Sequence, residues 1–378
     1  MKMALFFTRG ISLETWVNLG LIDREKLIYE KHLISGALEK VYWLTYGSND
    51  HNLSQELKSQ GRLHESIVVL PMPKIFSVFK KLSVIYSLIL PFYYKDKIKE
   101  CQVLKTNQMD GSWSAVIAKK ILNKFLIVRT GFTLSAFSKK KKSSLFKRWG
   151  SVCVEKISYK YCDIATVSSN LDKQYLIDQR YLKSDKVIVV RNYIDINLFK
   201  PMSLDKYVKR VLFVGRLNSQ KNLHNTIRAV SMSGLGLDIY GEGELKVELV
   251  DLVRNENLDV NFKGVVANAE LPKIYNQYSY YILASHYEGM PKTLLEAMAC
   301  GCLCIGTNVS GINEVLKDSF NGFLAKDTSS IGIFDAIVRS TALDRNIVKN
   351  SVKSISEKFS LECAVKLEKE ILDYAYDA

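Results

Sequence analysis

Acidic residues are scarce where basic ones are dense. Residues 51–150 hold 19 Lys and Arg against 5 Asp and Glu, and residues 1–200 hold 33 against 17; residues 201–378 hold 20 against 22. The formal net charge of +14 therefore belongs to the first half of the chain. Such a field favours an anionic surface, either nucleic acid or an acidic membrane leaflet. Zinc-finger spacing, RNA-binding aromatic signatures and basic heptad arrays are all missing, so nucleic acid is not an expected partner. A membrane-spanning run is missing too. The most apolar stretch, 76–94, is interrupted by Lys80, Lys81 and Pro91, and a span needs roughly 20 apolar residues. Two readings of it stand: a helix covering a sheet with its lysines in water, or a helix lying in a membrane interface. The apolar run at Met1–Phe7 is short for a secretory signal and is expected to be a first buried strand. Seven cysteines, odd in number and scattered, exclude a disulfide framework and suit a reducing cytoplasm. Cys300, Cys302 and Cys304 are expected to be small buried side chains of a strand rather than metal ligands.

What the sequence does have is length for two cores and a repeated strand and helix pattern. At 378 residues and 47% hydrophobic content, two domains are expected. Strands are expected over 3–8, 41–46, 67–70, 103–104, 125–128, 164–167 and 187–190, with helices over 13–38, 112–123 and up to about Gln179. The pattern restarts at 210–214, followed by a helix over 223–232 and strands at 237–240, 260–264, 281–284 and 303–306. An amphipathic helix closes the chain at 360–376. This alternation argues parallel sheets built of βα units. Ligands of such sheets collect outside the carboxyl ends of the strands, which marks Asn107, Asp110 and Arg129 as candidates. Gly10 either lets backbone approach a phosphate or sugar or simply turns the chain. The lysine run 139–142, with Phe146, Lys147, Arg148 and Trp149 after it, reads as a solvated loop or as a contact for acidic headgroups.

One short stretch concentrates chemistry. A buried strand over 281–284 gives way to the loop Glu288-Gly289-Met290-Pro291 and then to a helix over 293–299 ended by Gly301. A helix start offers unpaired N–H groups and partial positive charge to an anion. Glu288 in the loop and Glu296 in the first turn of the helix are carboxylates whose natural partners are hydroxyl groups, so a sugar nucleotide would supply both features. A local alternative stands for Glu296: the pattern Thr293-Leu-Leu-Glu296 is also a capping box. Upstream, the strand ending at Gly215 leads into Arg216 and Lys221, a guanidinium fork and a compact ammonium suited to two phosphates.

The string Glu288-Gly-Met-Pro-Lys-Thr-Leu-Leu-Glu296 resembles the Glu-x7-Glu signature of the family 4 nucleotide-sugar glycosyltransferases. The resemblance is strong from 210 to 325 and diffuse before 160. It implies an α/β fold of two facing Rossmann-like domains, the GT-B type, with a central cleft. The first would be an acceptor-binding domain over 1–200, with the helix 361–378 crossing back to it, and the second a nucleotide-sugar-binding domain over 206–360. It implies catalytic roles for Glu288, Arg216 and Lys221. Donor contacts would come from Gly10, Gly215, Val266, Gly289, Met290, Pro291, Lys292, Thr293 and Glu296, with Glu288 on the sugar and Glu296 on the ribose. It further implies retention at the anomeric carbon, no cofactor and no obligatory metal. The acceptor would be a saccharide, lipid-linked, reached by a cytoplasmic enzyme held at the inner membrane face through its basic first domain. Two departures stand out: Tyr193 occupies a position where many relatives have glycine, and no histidine lies near Arg129-Thr130. A GT-B sugar-nucleotide epimerase would share the donor site without an acceptor surface. A basic membrane or nucleic-acid binding module would need no phosphate cradle.

Overall fold

Short runs of β-branched and aromatic residues without polar interruption make strands that are buried on both faces, the mark of a parallel sheet. The computed structural model describes residues 1–77, 79, 82–131, 145–341 and 345–377. Lys80, Lys81 and the run 139–142 lie outside the described residues, as do the side chains of Phe146, Lys147 and Arg148. The chain divides into one unit of Met1–Arg191 with Ala364–Ala378 and another of Asn192–Cys363.

The first unit contains β1 (Lys2–Phe6), β2 (Lys40–Leu44), β3 (Ile67–Leu70), β4 (Val103–Thr106), β5 (Phe125–Thr130), β6 (Ile164–Val167) and β7 (Val187–Val189). They pair in parallel in the order β3-β2-β1-β4-β5-β6-β7. The chain runs outward from β1 to one edge, returns to β4 beside β1, and continues to the other edge. Connections after β1 and β4 therefore leave in opposite directions, opening a crevice at their carboxyl ends. The second unit repeats the plan with β8 (Tyr207–Val214), β9 (Gly236–Tyr240), β10 (Val260–Gly264), β11 (Tyr278–Leu283), β12 (Leu303–Thr307) and β13 (Phe323–Ala325). Its order is β10-β9-β8-β11-β12-β13, with the reversal between β8 and β11. Both units are Rossmann-like, the make-up of the GT-B class.

The single helix expected over 13–38 is three short ones, Leu13–Asn18, Ile22–Glu25 and Leu27–Ile34. Gly20, at φ +64°, breaks the first from the second in a conformation glycine adopts freely. Their apolar face closes an aromatic cluster in which Phe7 stacks on Trp16 at 4.2 Å and Trp16 meets Trp43 edge-on at 5.4 Å. In the apolar stretch, the helix Leu82–Tyr93 buries Tyr86, Ser87, Leu90 and Pro91. It packs on the helix Ser112–Leu122, where the Trp113 indole donates to the Ser87 hydroxyl at 2.8 Å. Its other face leaves Val84, Ile85, Leu88, Ile89, Phe92 and Tyr93 exposed, and Ile75 and Phe79 before it are exposed as well. Among the described residues no helix is long and apolar enough to cross a membrane.

The helix Leu361–Asp377 carries its charge inward at one point. Glu368 pairs with Lys105 of β4, both side chains being buried, and the Lys105 ammonium lies 5.0 Å from the Tyr29 ring centre. Burial alone would raise the Glu368 carboxyl, yet Lys105, with His32 and Arg129 nearby, pulls it below the ordinary glutamate range. Removing one member of a buried pair leaves an uncompensated charge and costs about 3–5 kcal/mol. Glu368→Gln is expected to lower unfolding free energy by that order in a denaturant titration. With a depressed folded pKa, the stability Glu368 contributes is complete above its unfolded pKa and fades as pH falls through the lower folded value. The Gln variant should lose this acid-side dependence, and a variant with unchanged stability and unchanged pH profile would contradict the assignment.

Candidate functional site

Backbone at the β8 and β11 ends shapes the second unit's crevice before any side chain enters it. After β8, the N–H of Gly215 donates to the Tyr240 carbonyl at 2.9 Å and that of Leu217 to the Glu242 carbonyl at 3.0 Å. A Cβ on Gly241 would stand 1.9 Å from the Gly215 carbonyl oxygen, and one on Gly243 would stand 2.2 Å from that of Leu217, so both glycines allow the close approach. The turn then closes through Lys221 and Asn222, whose left-handed backbone (φ +54°) starts the helix Leu223–Met232. The Asn222 side-chain amide donates to the carbonyls of Ala284 and Thr328 at 3.0 and 2.8 Å, tying this turn to the loop after β11.

That loop delivers Glu288. Its carboxylate accepts from the Lys221 ammonium at 2.7 Å and the Ser285 hydroxyl at 2.6 Å on one oxygen, and from the Gln220 amide at 3.3 Å on the other. The side chains of Lys221 and Glu288 are only 13% and 7% exposed. Gln220 also donates to the Tyr287 carbonyl at 2.9 Å and accepts the His286 N–H through its own carbonyl at 2.9 Å, so three successive loop residues are fixed from one side. Arg216 is exposed, and among the described residues its side chain has no hydrogen bond or ion pair.

The helix begins at Lys292, with Pro291 as its cap and no side-chain cap bond. The capping-box alternative is thereby corrected. Thr293 lies inside the helix with its hydroxyl accepting from Tyr281 at 2.8 Å, and Glu296 accepts from the Tyr275 hydroxyl at 3.0 Å. Glu296 is 2% exposed, a full turn deeper than the helix start rather than in its first turn. Met290 is buried in the core, and its carbonyl accepts from the Asn192 side chain at 2.8 Å. The Lys292 ammonium lies 5.4 Å from the centre of the Tyr193 ring, which gives that residue a cation to stack against. Val266 packs partly buried on the core beyond Gly264, whose carbonyl accepts the Gly241 N–H at 2.7 Å. Gly289 is crossed closely by Gly311. Of the residues expected to contact the donor, Gly215 and those from Gly289 to Glu296 follow β8 and β11, while Val266 follows β10.

Gly10 belongs to the first unit, in the turn after β1, at φ +74° and exposed, with nothing within 4 Å of a Cβ there. Beside it the Arg9 guanidinium forks onto Asp110 at 3.1 and 3.3 Å. Arg129 donates from its guanidinium to the Asn107 carbonyl at 3.1 Å, so Asn107, Asp110 and Arg129 do share one crevice, at the ends of β1, β4 and β5. The cysteines at 300, 302 and 304 are fully buried. The Cys302 thiol donates to the Tyr275 carbonyl at 3.1 Å, and burial pushes it up to about 12.

Sequence reasoning passed over Arg9, Gln220, Ser285, Tyr275 and Gly311. Ser285, three residues before Glu288, could have been found as a hydroxyl in the same loop; the others had no local signal because their partners are distant in sequence.

Comparison with known proteins finds similarity mainly in the second unit. Residues 196–353 match the model of glycosyl transferases group 1. An uncharacterized glycosyltransferase of Methanocaldococcus jannaschii is 30% identical over 235 residues, covering 55% of this chain and 59% of its own. The UDP-Gal:alpha-D-GlcNAc-diphosphoundecaprenol alpha-1,3-galactosyltransferase of Escherichia coli is 28% identical over 249 residues, 60% of this chain and 62% of its own. This chain therefore spans less than two thirds of the length of these curated relatives. In structure it is similar to Anabaena HepE in complex with UDP and glucose, at a TM-score of 0.75 and 19% identity over 98% of this chain and 99% of that one, a likeness of fold.

Gly311 offers a test of how the loop is held. At φ +81°, its Cβ would lie 2.1 Å from the Gly289 carbonyl oxygen and 2.8 Å from that of Glu288. Gly311→Ala combines a strained backbone, about 1–3 kcal/mol, with that clash. A lowered melting temperature is expected; an Ala variant as stable as the parent would show that the loop gives way freely.

Proposed function

We propose that this chain, whose residues 196–353 match the model of glycosyl transferases group 1, belongs to that family and moves a sugar from a nucleotide-sugar donor to a saccharide acceptor. The observation that carries the reading is Glu288 and Lys221 held together at the ends of β8 and β11, beside the start of the helix Lys292–Ala299. In the transfer, the bond between the anomeric carbon and the diphosphate oxygen breaks, and its electron pair leaves with the diphosphate. The acceptor hydroxyl oxygen bonds to the anomeric carbon and releases its proton. Negative charge grows on the departing diphosphate, so the exposed Arg216 fork, the Lys221 ammonium and the helix-start N–H groups act more strongly in the transition state than before it. These cations fill the place that a divalent ion would otherwise take. The Glu288 carboxylate faces the positive charge developing on the sugar and binds its hydroxyls, and Glu296 serves the nucleotide side. Configuration at the anomeric carbon is retained in this reading.

The acceptor is lipid-linked, and the enzyme works at the inner membrane face. The E. coli relative is named for a diphosphoundecaprenol acceptor. On this chain the exposed apolar row from Ile75 to Tyr93 belongs to the half that carries the excess of positive charge, the combination an interfacial helix uses on acidic lipid.

Arg216→Ala should reduce turnover far more than stability, whereas Lys221→Ala, which strands the enclosed Glu288 carboxylate, should lower both; near-normal turnover in both would remove them from the site. Which donor is used is read from a thermal-shift panel of UDP, GDP, ADP and CMP derivatives, a ligand at 100 times its dissociation constant adding about 2.7 kcal/mol. Product analysis with donor alone separates transfer from epimerisation, which would convert the donor without acceptor.

For the membrane part, Ile85→Glu with Phe92→Glu is expected to abolish co-flotation with acidic liposomes while leaving the melting curve intact, because both side chains face solvent. Retained flotation would exclude the apolar row as the contact.

A further inference from the structure

The first unit has a second concave surface, at the end of its sheet opposite to Asn107, Asp110 and Arg129. A cavity of about 660 Å³ opens where the chain enters β6 and β7, between Cys162 and Lys186. Lys156 and Lys160 project into it from the helix Leu145–Tyr161, and Arg180, Lys183 and Lys186 from the turn before β7. Asp185 is the one carboxylate in the lining. Among the described residues, Lys156, Arg180, Lys183 and Lys186 form no ion pair with any carboxylate. Its wall is Tyr181, stacked on the buried Tyr159 with ring centres 5.6 Å apart.

The backbone adds an independent observation. Arg180 stands at φ +54°, the left-handed position that ends the helix Asn170–Asp178, where glycine or asparagine is the usual occupant. The turn is fixed by Arg180 and Tyr181 N–H groups donating to the carbonyls of Ile177 and Leu176 at 2.9 and 3.0 Å. A long cationic side chain at a strained backbone position points to a requirement outside the turn. Five cations with one carboxylate repel one another across a shared cavity, and an anion is what relieves them.

We propose that this cavity is a second anion site, distinct from the donor site of the other unit, and that it takes a phosphate group. Arg180 supplies the planar fork that matches phosphate oxygens, and Lys156, Lys160, Lys183 and Lys186 supply point charges around it. Tyr181 offers an aromatic face to whatever carries the phosphate. The carrier is either a lipid headgroup or a soluble phosphorylated compound; the recognition chemistry is the same for both.

The test uses the full chain and the variant Arg180→Glu/Lys183→Glu, with Lys349→Glu/Lys353→Glu on the helix Arg345–Lys358 as a control of equal charge change. Inorganic pyrophosphate is titrated calorimetrically into each, and into Arg216→Ala/Lys221→Ala to silence the donor site. Pyrophosphate affinity is expected to persist in the Arg216/Lys221 variant and to fall about tenfold or more when Arg180 and Lys183 are reversed. In the second arm, flotation on phosphatidylcholine vesicles with and without phosphatidylglycerol is compared. A loss of acidic-vesicle binding in the Arg180/Lys183 variant beyond that of the control assigns the site to a headgroup. Lost pyrophosphate affinity with unchanged flotation assigns it to a soluble phosphate compound. The proposal is overturned if the Arg180/Lys183 variant matches the control in both arms, or if pyrophosphate binding disappears with Arg216 and Lys221 alone.

Discussion

A carboxylate closed off from water has to be met by donors, and Glu288 is met by three. Lys221 and Ser285 share one oxygen and Gln220 takes the other. Much of the second unit's loop structure follows from bringing those donors together. Ser285 comes from the end of β11, and Lys221 and Gln220 from the turn after β8. Those strands are neighbours only because the strand order reverses between them. Asn222 fixes the two loops to each other, and Gly311 lets a third segment pass against the carbonyls of Glu288 and Gly289. Each of these residues acts on Glu288 through position rather than through chemistry of its own. A paired buried charge tolerates little displacement, since a lost partner leaves a penalty of several kcal/mol.

The first unit has its own buried charge, with a different consequence. Lys105 lies in the middle of a sheet, where a lone ammonium would be forced to neutralise, and burial does draw its pKa down. Glu368 holds the charge in place and fixes the closing helix against β4. Its work is structural, and the depressed carboxyl is a stability term, not a sign of reactivity.

How far the sequence could be read depended on where each signal resided. Strands at 67–70 and 164–167 and the helix at 223–232 were legible to the residue, because apolar runs and helical spacing are local. The loops after β8 and β11 were legible for the same reason: strand end, glycine and helix start lie within a few residues of each other. Three features were not. The strand Phe323–Ala325 is too short to show periodicity and exists because β12 offers it a pairing edge. The hydrogen bond that Glu296 accepts comes from Tyr275, 21 residues earlier, which no spacing rule connects to it. Nothing local marked Lys105, whose partner Glu368 comes from a helix 263 residues later. Local patterns name elements; partners across the fold decide what a charged side chain does.

Both units place a cation and a carboxylate at the reversal point of a parallel sheet, and the difference between the two pairs is informative. Arg9 and Asp110 are about one third exposed, in a geometry where water and salt screen the attraction and either group can take a new partner at small cost. Lys221 and Glu288 are nearly enclosed, so each is held by the other and neither can be released to water cheaply. A buried ammonium gives up a carboxylate only to another anion. A diphosphate is such an anion, and in the proposed reading it arrives beside Lys221 with Arg216 still unpaired to receive it. In the proposed reading, the exposed pair suits a crevice that accepts varied hydroxyl-bearing chains. The enclosed pair suits one that must hold charge fixed while a bond breaks, where donors already in position need no rearrangement as charge develops.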